Sequence, residues 1–217
     1  QGRPREETSV RIGIFGGSFD PVHVGHLVVA ECCREEAALD RVLFVPACVP
    51  PHKTAVGRAS GDHRRAMLEL ATGGNPAFGV LDDELERGGV SWTIDTLSRL
   101  AADRPSDSLH LILGPDSLAG LPGWREPRRI LDLAEPLAVE RAGVDDVAAL
   151  LREEALGALL GADRARRVAM ARVRCPAIGI RSTLLRERIA AGRSIRYLTP
   201  AAVERYIAAH GLYRGPS

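Results

Sequence analysis

The chain has 217 residues, of which 45% are hydrophobic, and its 29 basic and 28 acidic side chains leave a formal net charge of +1. This length suffices for one sizeable core, and the sequence has no run of about 20 apolar residues that would span a membrane. The balanced charge gives no reason to expect a nucleic acid or a membrane surface as a partner.

The polar start of the chain and its cysteines predict an ordinary cytoplasmic domain. Residues 1–9 are expected to form a disordered tail and residues 10–214 a single domain. The four cysteines lack the C-x-x-C spacing of zinc sites, and a disulfide framework is unusual in a chain of this length. We therefore expect reduced thiols and a cytoplasmic location.

The first predicted strand and helix enclose a glycine-rich segment with two histidines. Residues 10–15 are apolar and partly β-branched, which predicts a buried strand, and residues 24–39 have the composition of a helix. The glycine pair between them lets the backbone approach a ligand, and the free N–H groups at a helix start favour phosphate. His23 and His26 lie one turn apart, where imidazoles can donate to phosphate oxygens. The segment predicts a nucleoside triphosphate site; part of a metal site or simple helix capping are the alternatives.

Strands and helices alternate along the rest of the chain. The predicted strands are 42–46, 78–81, 109–114, 136–139 and 177–180, and the predicted helices are 62–72, 93–103, 125–134, 182–191 and one that follows Thr199-Pro200. Asp62 is expected to cap the helix that it begins. This order predicts an α/β fold, a Rossmann-like doubly wound parallel sheet with helices on both faces and a small carboxyl-terminal helical segment. Such sheets bind ligands beyond the carboxyl ends of their strands.

Residues 143–174 are rich in Ala, Leu, Arg and Glu and are predicted to be a mainly helical insertion or connection. Five of their arginines make the stretch basic and favour a solvated helix face over a nucleic-acid surface, and a contact between subunits of a homo-oligomer stays open. These arginines are Arg164, Arg166, Arg167, Arg172 and Arg174.

Several segments together resemble one enzyme family. GGSFDPVHVGH at 16–26 resembles the signature of the H-x-G-H nucleotidyltransferase superfamily, and IRSTLLR at 180–186 resembles its second signature, I-S-S-T-x-[IL]-R. Further segments resemble the bacterial nicotinate-nucleotide adenylyltransferases: PPHK at 50–53, SWTIDTL at 91–97, GPDSL at 114–118 running on to Trp124, and YLTP at 197–200 with the segment up to Tyr213. The resemblance covers about residues 10–214.

The resemblance implies transfer of the adenylyl group of ATP to nicotinate mononucleotide, giving nicotinate adenine dinucleotide and pyrophosphate. A phosphate oxygen of the mononucleotide would attack the α-phosphorus directly, so catalysis can rest on positioning and charge stabilisation. Mg²⁺ would arrive with the triphosphate, and no protein ligand for it is predicted. The alternatives are another nucleotidyltransferase of the superfamily, such as one acting on phosphopantetheine, and a nucleotide-binding module that has lost catalysis.

The resemblance also assigns roles to particular residues. The catalytic candidates are His23, His26 and Arg186. The ATP-binding candidates are Phe15, Gly16, Gly17, Ser18, Lys53, Gly114, Asp116, Ser182 and Thr183. The mononucleotide-binding candidates are Trp92, Thr93, Trp124 and Arg125, of which an indole would stack on the pyridine ring and N–H groups near Thr93 and Trp124 would bind the carboxylate. Arg181 departs from the family, which usually has Ser at this position.

Overall fold

The computed structural model describes residues 9–48 and 58–214, and a parallel six-stranded sheet forms its centre. The strands are β1 (Arg11–Gly17), β2 (Arg41–Pro46), β3 (Phe78–Val80), β4 (Ser108–Leu113), β5 (Glu135–Arg141) and β6 (Val173–Cys175). The helices are α1 (Val24–Glu36), α2 (Gly61–Thr72), α3 (Asp83–Arg87), α4 (Thr93–Asp103), α5 (Pro115–Gly120), α6 (Pro127–Leu133), α7 (Val147–Leu150), α8 (Glu154–Met170), α9 (Ser182–Ala190) and α10 (Ala201–Ala209), with a 3₁₀ turn at Leu121–Gly123.

The strand order β3-β2-β1-β4-β5-β6 reverses its direction of growth at the boundary between β1 and β4. Phe15 of β1 pairs with Phe44 of β2 on one side, and Ile14 pairs with Leu111 of β4 on the other. In an open parallel sheet the helices depart in opposite directions at such a boundary, which leaves a crevice beyond the carboxyl ends of the two strands. The fold therefore places its crevice between the glycine pair and the segment that follows β4.

Alternate residues of the strands point to two hydrophobic cores, one on each face of the sheet. Leu111 and Leu113 belong to the core under α4, α6 and α8, whereas Ile112 between them belongs to the core under α1, α2, α9 and α10. This alternation is the two-residue period of a strand, and it covers both faces with helices. The predicted doubly wound sheet with a carboxyl-terminal helical segment is confirmed.

Most predicted elements lie where the sequence places them, with shifts at their ends. The predicted helix 93–103 is α4 without change, and α2 differs by one residue at its start. Ser60, not Asp62, caps α2, because its hydroxyl accepts the backbone N–H of His63 at 3.3 Å. Helix α1 ends three residues before the predicted Leu39, since Ala38 adopts a left-handed φ of 48° that no helix continues through.

The last strand was the one clear error of position. Residues 177–180 are irregular, and the strand that completes the sheet is β6, which pairs Val173 with Val139 of β5. Pro176 follows β6 directly and lacks the N–H that a longer ladder would need. The sequence also failed to indicate β6, α3 and α5, which are all short. Residues 143–174 are otherwise mostly helical and contain α7 and α8.

The five arginines of this connection that were named above are paired with carboxylates. Arg164 and Arg167 contact Glu135, Arg172 and Arg174 contact Glu140, and Arg166 contacts Asp163. Each positive charge therefore has a negative neighbour on or beside α8. Within the described residues no helix combines the length and the apolar composition that crossing a bilayer would require.

Candidate active site

The segment after β1 turns sharply at the glycine pair. A Cβ on Gly17 would lie 2.9 Å from the buried ring of Phe19, so any side chain at Gly17 would displace that ring. A Cβ on Gly16 would meet nothing within 4 Å, and Gly16 lines the crevice. Phe19 itself has a left-handed φ of 45°, which is unusual for a bulky residue and is held by the surrounding core.

His23 and His26 stack at the start of α1. Their ring centroids are 3.7 Å apart and their planes differ by 22°. The backbone N–H of His23 donates to Nδ1 of His26 at 3.2 Å, so this nitrogen carries no proton. A neutral His26 therefore holds its proton on Nε2, where it can be donated to a ligand.

Burial keeps both imidazoles neutral in the free protein. It lowers the pKa of His23 to about 4. It also lowers the pKa of His26 well below the usual value, and His23 beside it adds to the effect. At neutral pH the pair thus offers hydrogen-bond donors and carries no positive charge.

The low pKa of His23 predicts a loss of stability in mild acid. Between pH 4 and 6.5 the unfolded chain binds a proton at this residue that the native state excludes. The contribution of neutral His23 to the free energy of unfolding is therefore fully present above pH 6.5 and is lost as the pH falls toward 4. We expect the protonation of His23 to lower the free energy of unfolding by about 2 kcal/mol between pH 7.5 and 5.0. Urea unfolding at both pH values should show a smaller pH-dependent loss in His23→Asn; an equal loss in variant and wild type would contradict the assignment.

Gly25 makes the stacked pair possible. A Cβ at this position would lie 3.1 Å from Cε1 and Nδ1 of His23, tighter than ordinary van der Waals contact. The glycine between the two histidines therefore lets the His23 ring fold back against the helix. Its role had no signal in composition or spacing.

Asp20 is a buried junction that sequence reasoning missed. It is 1% exposed, and its Oδ1 accepts the hydroxyl of Tyr213 at 2.6 Å and the backbone N–H of Ala59 at 3.1 Å. Its Oδ2 lies 4.0 Å from a nitrogen of Arg186. Burial raises the pKa of Tyr213, and the Asp20 carboxylate adds to that rise. One carboxylate thus ties the histidine segment to the end of the chain.

Arg64 of α2 is a second buried group without a sequence signal. Its guanidinium donates to the backbone oxygens of Ser18, Ala47 and Cys48 at 2.9, 2.7 and 3.2 Å. Burial lowers the pKa of Arg64, and the nearby Asp20 raises it. Because the three carbonyls belong to the segments after β1 and β2, one side chain holds these two neighbouring segments together.

The start of α9 is bonded to the same segment. The hydroxyl of Ser182 donates to Pro21 O at 2.9 Å, and Arg186 donates to Asp20 O at 2.6 Å and to Oγ1 of Thr183 at 3.3 Å. These bonds bring the two signature motifs together, as expected. They also occupy the Ser182 proton and part of the Arg186 guanidinium, so contacts of these groups with phosphate stay a prediction.

A cavity of about 950 Å³ lies at the carboxyl ends of β1 and β4. Its walls are mostly apolar and include both tryptophans and the ends of the central strands. A volume of this size fits a nucleotide-sized ligand. The predicted site residues that line it are Gly16, Gly17, Ser18, Trp92, Thr93, Asp116, Trp124 and Arg125.

The two tryptophans flank this cavity and also pack against the core. Helix α4 begins at Thr93, and Trp92 directly before it is the N-cap residue. The Trp92 side chain forms no hydrogen bond with the N–H groups of this helix. The backbone N–H of Trp124 donates to Leu121 O at 3.1 Å. It is therefore not free for a ligand carboxylate, whereas the binding of that carboxylate by other N–H groups near Thr93 and Trp124 stays a prediction.

The other predicted site residues lie outside the cavity wall. They include His23, His26, Arg186, Ser182 and Thr183, of which Arg186 and Ser182 are bonded to Asp20 O and Pro21 O, just before the histidines in the chain. Phe15 packs its ring against Phe19 and Phe44, so its side chain belongs to the core. Gly114 is the N-cap of α5. Lys53 and its PPHK segment lie outside the described residues.

Comparison with known proteins identifies relatives along nearly the whole chain. Residues 14–188 match the family model described as cytidylyltransferase-like. Relatives named "Probable nicotinate-nucleotide adenylyltransferase" include one from Thermomicrobium roseum, 44% identical over 94% of this chain and 92% of its own. Another, from Roseiflexus sp. RS-1, is 46% identical over 95% of this chain and 100% of its own. The Plasmodium falciparum nicotinic acid mononucleotide adenylyltransferase complexed with NaAD shares the fold, with a TM-score of 0.72, 17% identity, and coverage of 94% of this chain and 97% of that one.

Proposed function

The chain belongs to the nicotinate-nucleotide adenylyltransferases of the cytidylyltransferase-like family, and on that premise we propose how its residues act. The enzyme transfers the adenylyl group of ATP to nicotinate mononucleotide and releases pyrophosphate, a step of NAD biosynthesis. The observation that carries the assignment of roles is the junction of a nucleotide-sized cavity with a stacked histidine pair and the start of α9.

His26 donates Nε2–H to the transferring phosphoryl group. Its Nδ1 is already bonded to the His23 backbone, which sets the tautomer before any substrate arrives. The nucleophile is a phosphate oxygen that is ionised at neutral pH, so the reaction needs no general base. A donor fixed in advance costs no reorganisation as charge develops on the equatorial oxygens. His23 supports the geometry through its stacked ring and contributes a second donor.

The triphosphate lies along the glycine-rich segment. Gly16, Gly17 and Ser18 line the cavity at the end of β1, and we assign the outer phosphates to the N–H groups at the start of α9, whose Ser182 hydroxyl is bonded to Pro21 O. Arg186 has N–H groups beyond those that hold Asp20 O and Thr183, and these neutralise phosphate charge. Asp116, exposed within the first turn of α5, accepts from the adenosine ribose.

Trp124 forms the platform for the pyridine ring. Replacing it by Ala should raise KM for nicotinate mononucleotide roughly tenfold, with a much smaller change in KM for ATP, because the stacking surface belongs to the acceptor. Trp124→Phe should retain most of the affinity. Steady-state kinetics with each substrate varied in turn would measure this; equal changes in both KM values would mean that Trp124 only supports the fold.

Mg²⁺ is expected to travel with the triphosphate. Among the described residues one acidic cluster has the geometry of a metal site, Asp82, Asp83 and Glu86, and it lies at α3, where Asp82 pairs with Arg65 and Asp83 with Arg99. The glycine-rich segment and the histidine pair that follows it instead offer N–H, hydroxyl and imidazole groups, which suits a cation held by phosphate oxygens and water. When bound, Mg²⁺ neutralises phosphate charge.

The function is tested by mixing the protein with ATP, Mg²⁺ and one acceptor at a time. We expect pyrophosphate with nicotinate mononucleotide, little with phosphopantetheine, and loss of turnover when EDTA removes the cation. Turnover with phosphopantetheine would favour another nucleotidyltransferase of the superfamily. If no pyrophosphate is released with either acceptor, the protein would instead be a nucleotide-binding module without catalysis.

A cytoplasmic location and a homo-oligomer remain part of the proposal. The four cysteines are free thiols, which suits a reducing compartment. For the homo-oligomer, we propose a contact between copies that covers Met170 and Tyr197, each 86% exposed. Light scattering on the purified protein would give its mass in solution, and a monomer mass would refute the oligomer.

A further inference from the structure

The charges around the cavity are unevenly distributed. Three charged side chains line it within the described part of the chain: Glu84, Asp116 and Arg125. Glu84 is buried and accepts the hydroxyl of Thr96 at 2.9 Å. An anionic ligand therefore meets two carboxylates and one cation on these walls.

Arg125 stands at the tryptophan end of the cavity. Its guanidinium carbon lies 5.6 Å from the centre of the Trp92 ring, within the range of a cation–π contact. Trp92 directly precedes Thr93, where α4 begins with its first-turn N–H groups. The indole thus holds the guanidinium beside the start of α4.

The donors of this guanidinium remain available. Its ion pair with Glu126 spans 3.8 Å, and both side chains are about half exposed, so the pair is weak. Arg125 forms no hydrogen bond with any residue that the structure describes. Because the Trp124 N–H is already bonded to Leu121, the guanidinium is the strongest donor at this end of the cavity.

We propose that Arg125 makes the enzyme select the acid over the amide of the pyridine mononucleotide, an inference that rests on the proposed function. A carboxylate presents two acceptor oxygens and a negative charge, and the guanidinium has only donors. A carboxamide would turn an NH₂ group toward it or use a single oxygen without charge. The first-turn N–H groups of α4 serve the shared oxygen of both ligands and do not distinguish them.

The test compares nicotinate and nicotinamide mononucleotides as acceptors at saturating ATP. Arg125→Gln should lower kcat/KM for the nicotinate form about tenfold, mainly through KM, and leave the nicotinamide form nearly unchanged. Arg125→Lys should retain part of the preference, because a lysine keeps the charge and loses the planar fork. Raising the salt concentration should weaken the preference in wild type more than in Arg125→Gln.

Arg129→Gln is the matched control. Arg129 also pairs with Glu126, and its side chain is 59% exposed against 52% for Arg125, but it does not line the cavity. Arg129→Gln removes the same charge from the same surface. The ratio of kcat/KM for nicotinate mononucleotide to kcat/KM for nicotinamide mononucleotide should stay within about twofold of the wild-type ratio.

Three results would overturn the proposal: a wild type without preference, an Arg125→Gln ratio within twofold of wild type, or an equal loss for both acceptors. Failure of the wild type to use either mononucleotide would instead refute the proposed reaction. Calorimetric binding of each mononucleotide then judges Arg125 without turnover, since equal affinities or no binding would overturn its role.

Discussion

His26→Ala should lower kcat about a hundred- to a thousandfold while the protein remains folded. The imidazole is stacked on His23 and receives the His23 N–H at Nδ1, so the Nε2 proton is aimed before substrate binds. Loss of a preorganised donor removes stabilisation that develops mainly in the transition state, and KM for ATP should change little by comparison. Pre-steady-state and steady-state kinetics would separate the chemical step from binding.

Two variants control this result. His26→Gln can place an amide N–H near the Nε2 position and should recover part of kcat. His63→Ala removes a histidine of α2 that bonds Tyr206 outside the cavity, and it should leave kcat near wild type. A His26→Ala enzyme that turns over at the wild-type rate would exclude His26 from the reaction.

Arg64→Met should destabilise the protein by about 3 kcal/mol or more. The variant leaves the carbonyls of Ser18, Ala47 and Cys48 without their buried donor, and it removes one of the two cations near the buried Asp20. Unpaired buried acceptors cost far more than the average hydrogen bond contributes. Chemical denaturation monitored by circular dichroism would measure the change in the free energy of unfolding.

Arg65 provides a neighbour on the same helix for comparison. Its side chain is 42% exposed and pairs with Asp82 on the surface, so Arg65→Met should cost no more than about 1 kcal/mol. Arg64→Lys keeps the charge but lacks a fork that reaches three carbonyls, and its stability should lie between wild type and Arg64→Met. Equal, small losses of unfolding free energy at both positions would show that Arg64 does not hold the segments after β1 and β2 together.

The core elements were predictable because their signals are local. The buried strands read as short apolar runs, and helix α4 repeats apolar residues at helical spacing, so both follow from hydrophobic periodicity. The glycine pair and the histidines one turn apart indicated a phosphate site because backbone freedom and helix geometry act within a few residues. The short strand β6 was missed, since Val173 and Cys175 are buried around the exposed Arg174 inside a stretch of mainly helical composition.

The groups that hold the site together could not be predicted, because their contacts join residues that are far apart in the sequence. Asp20 and Tyr213 are far apart in the chain, as are Arg64 and the carbonyls that it binds, and no local pattern records such contacts. Gly25 looked like part of a motif, but its purpose depends on a ring that folds back to within 3.1 Å of a Cβ position. The neutral state of the histidines likewise depends on burial by other segments.

By itself, the order of residues determined the alternation of strands and helices, the location of the crevice and the residue types that face phosphate, because short-range sterics and periodic burial decide these features. Only the tertiary structure decided which nitrogen of His26 carries its proton, that the Trp124 N–H is already bonded, and that Arg125 is held against Trp92 at the cavity wall. These features arise where distant segments exclude water and take up each other's donors, and that competition exists only once the chain has folded.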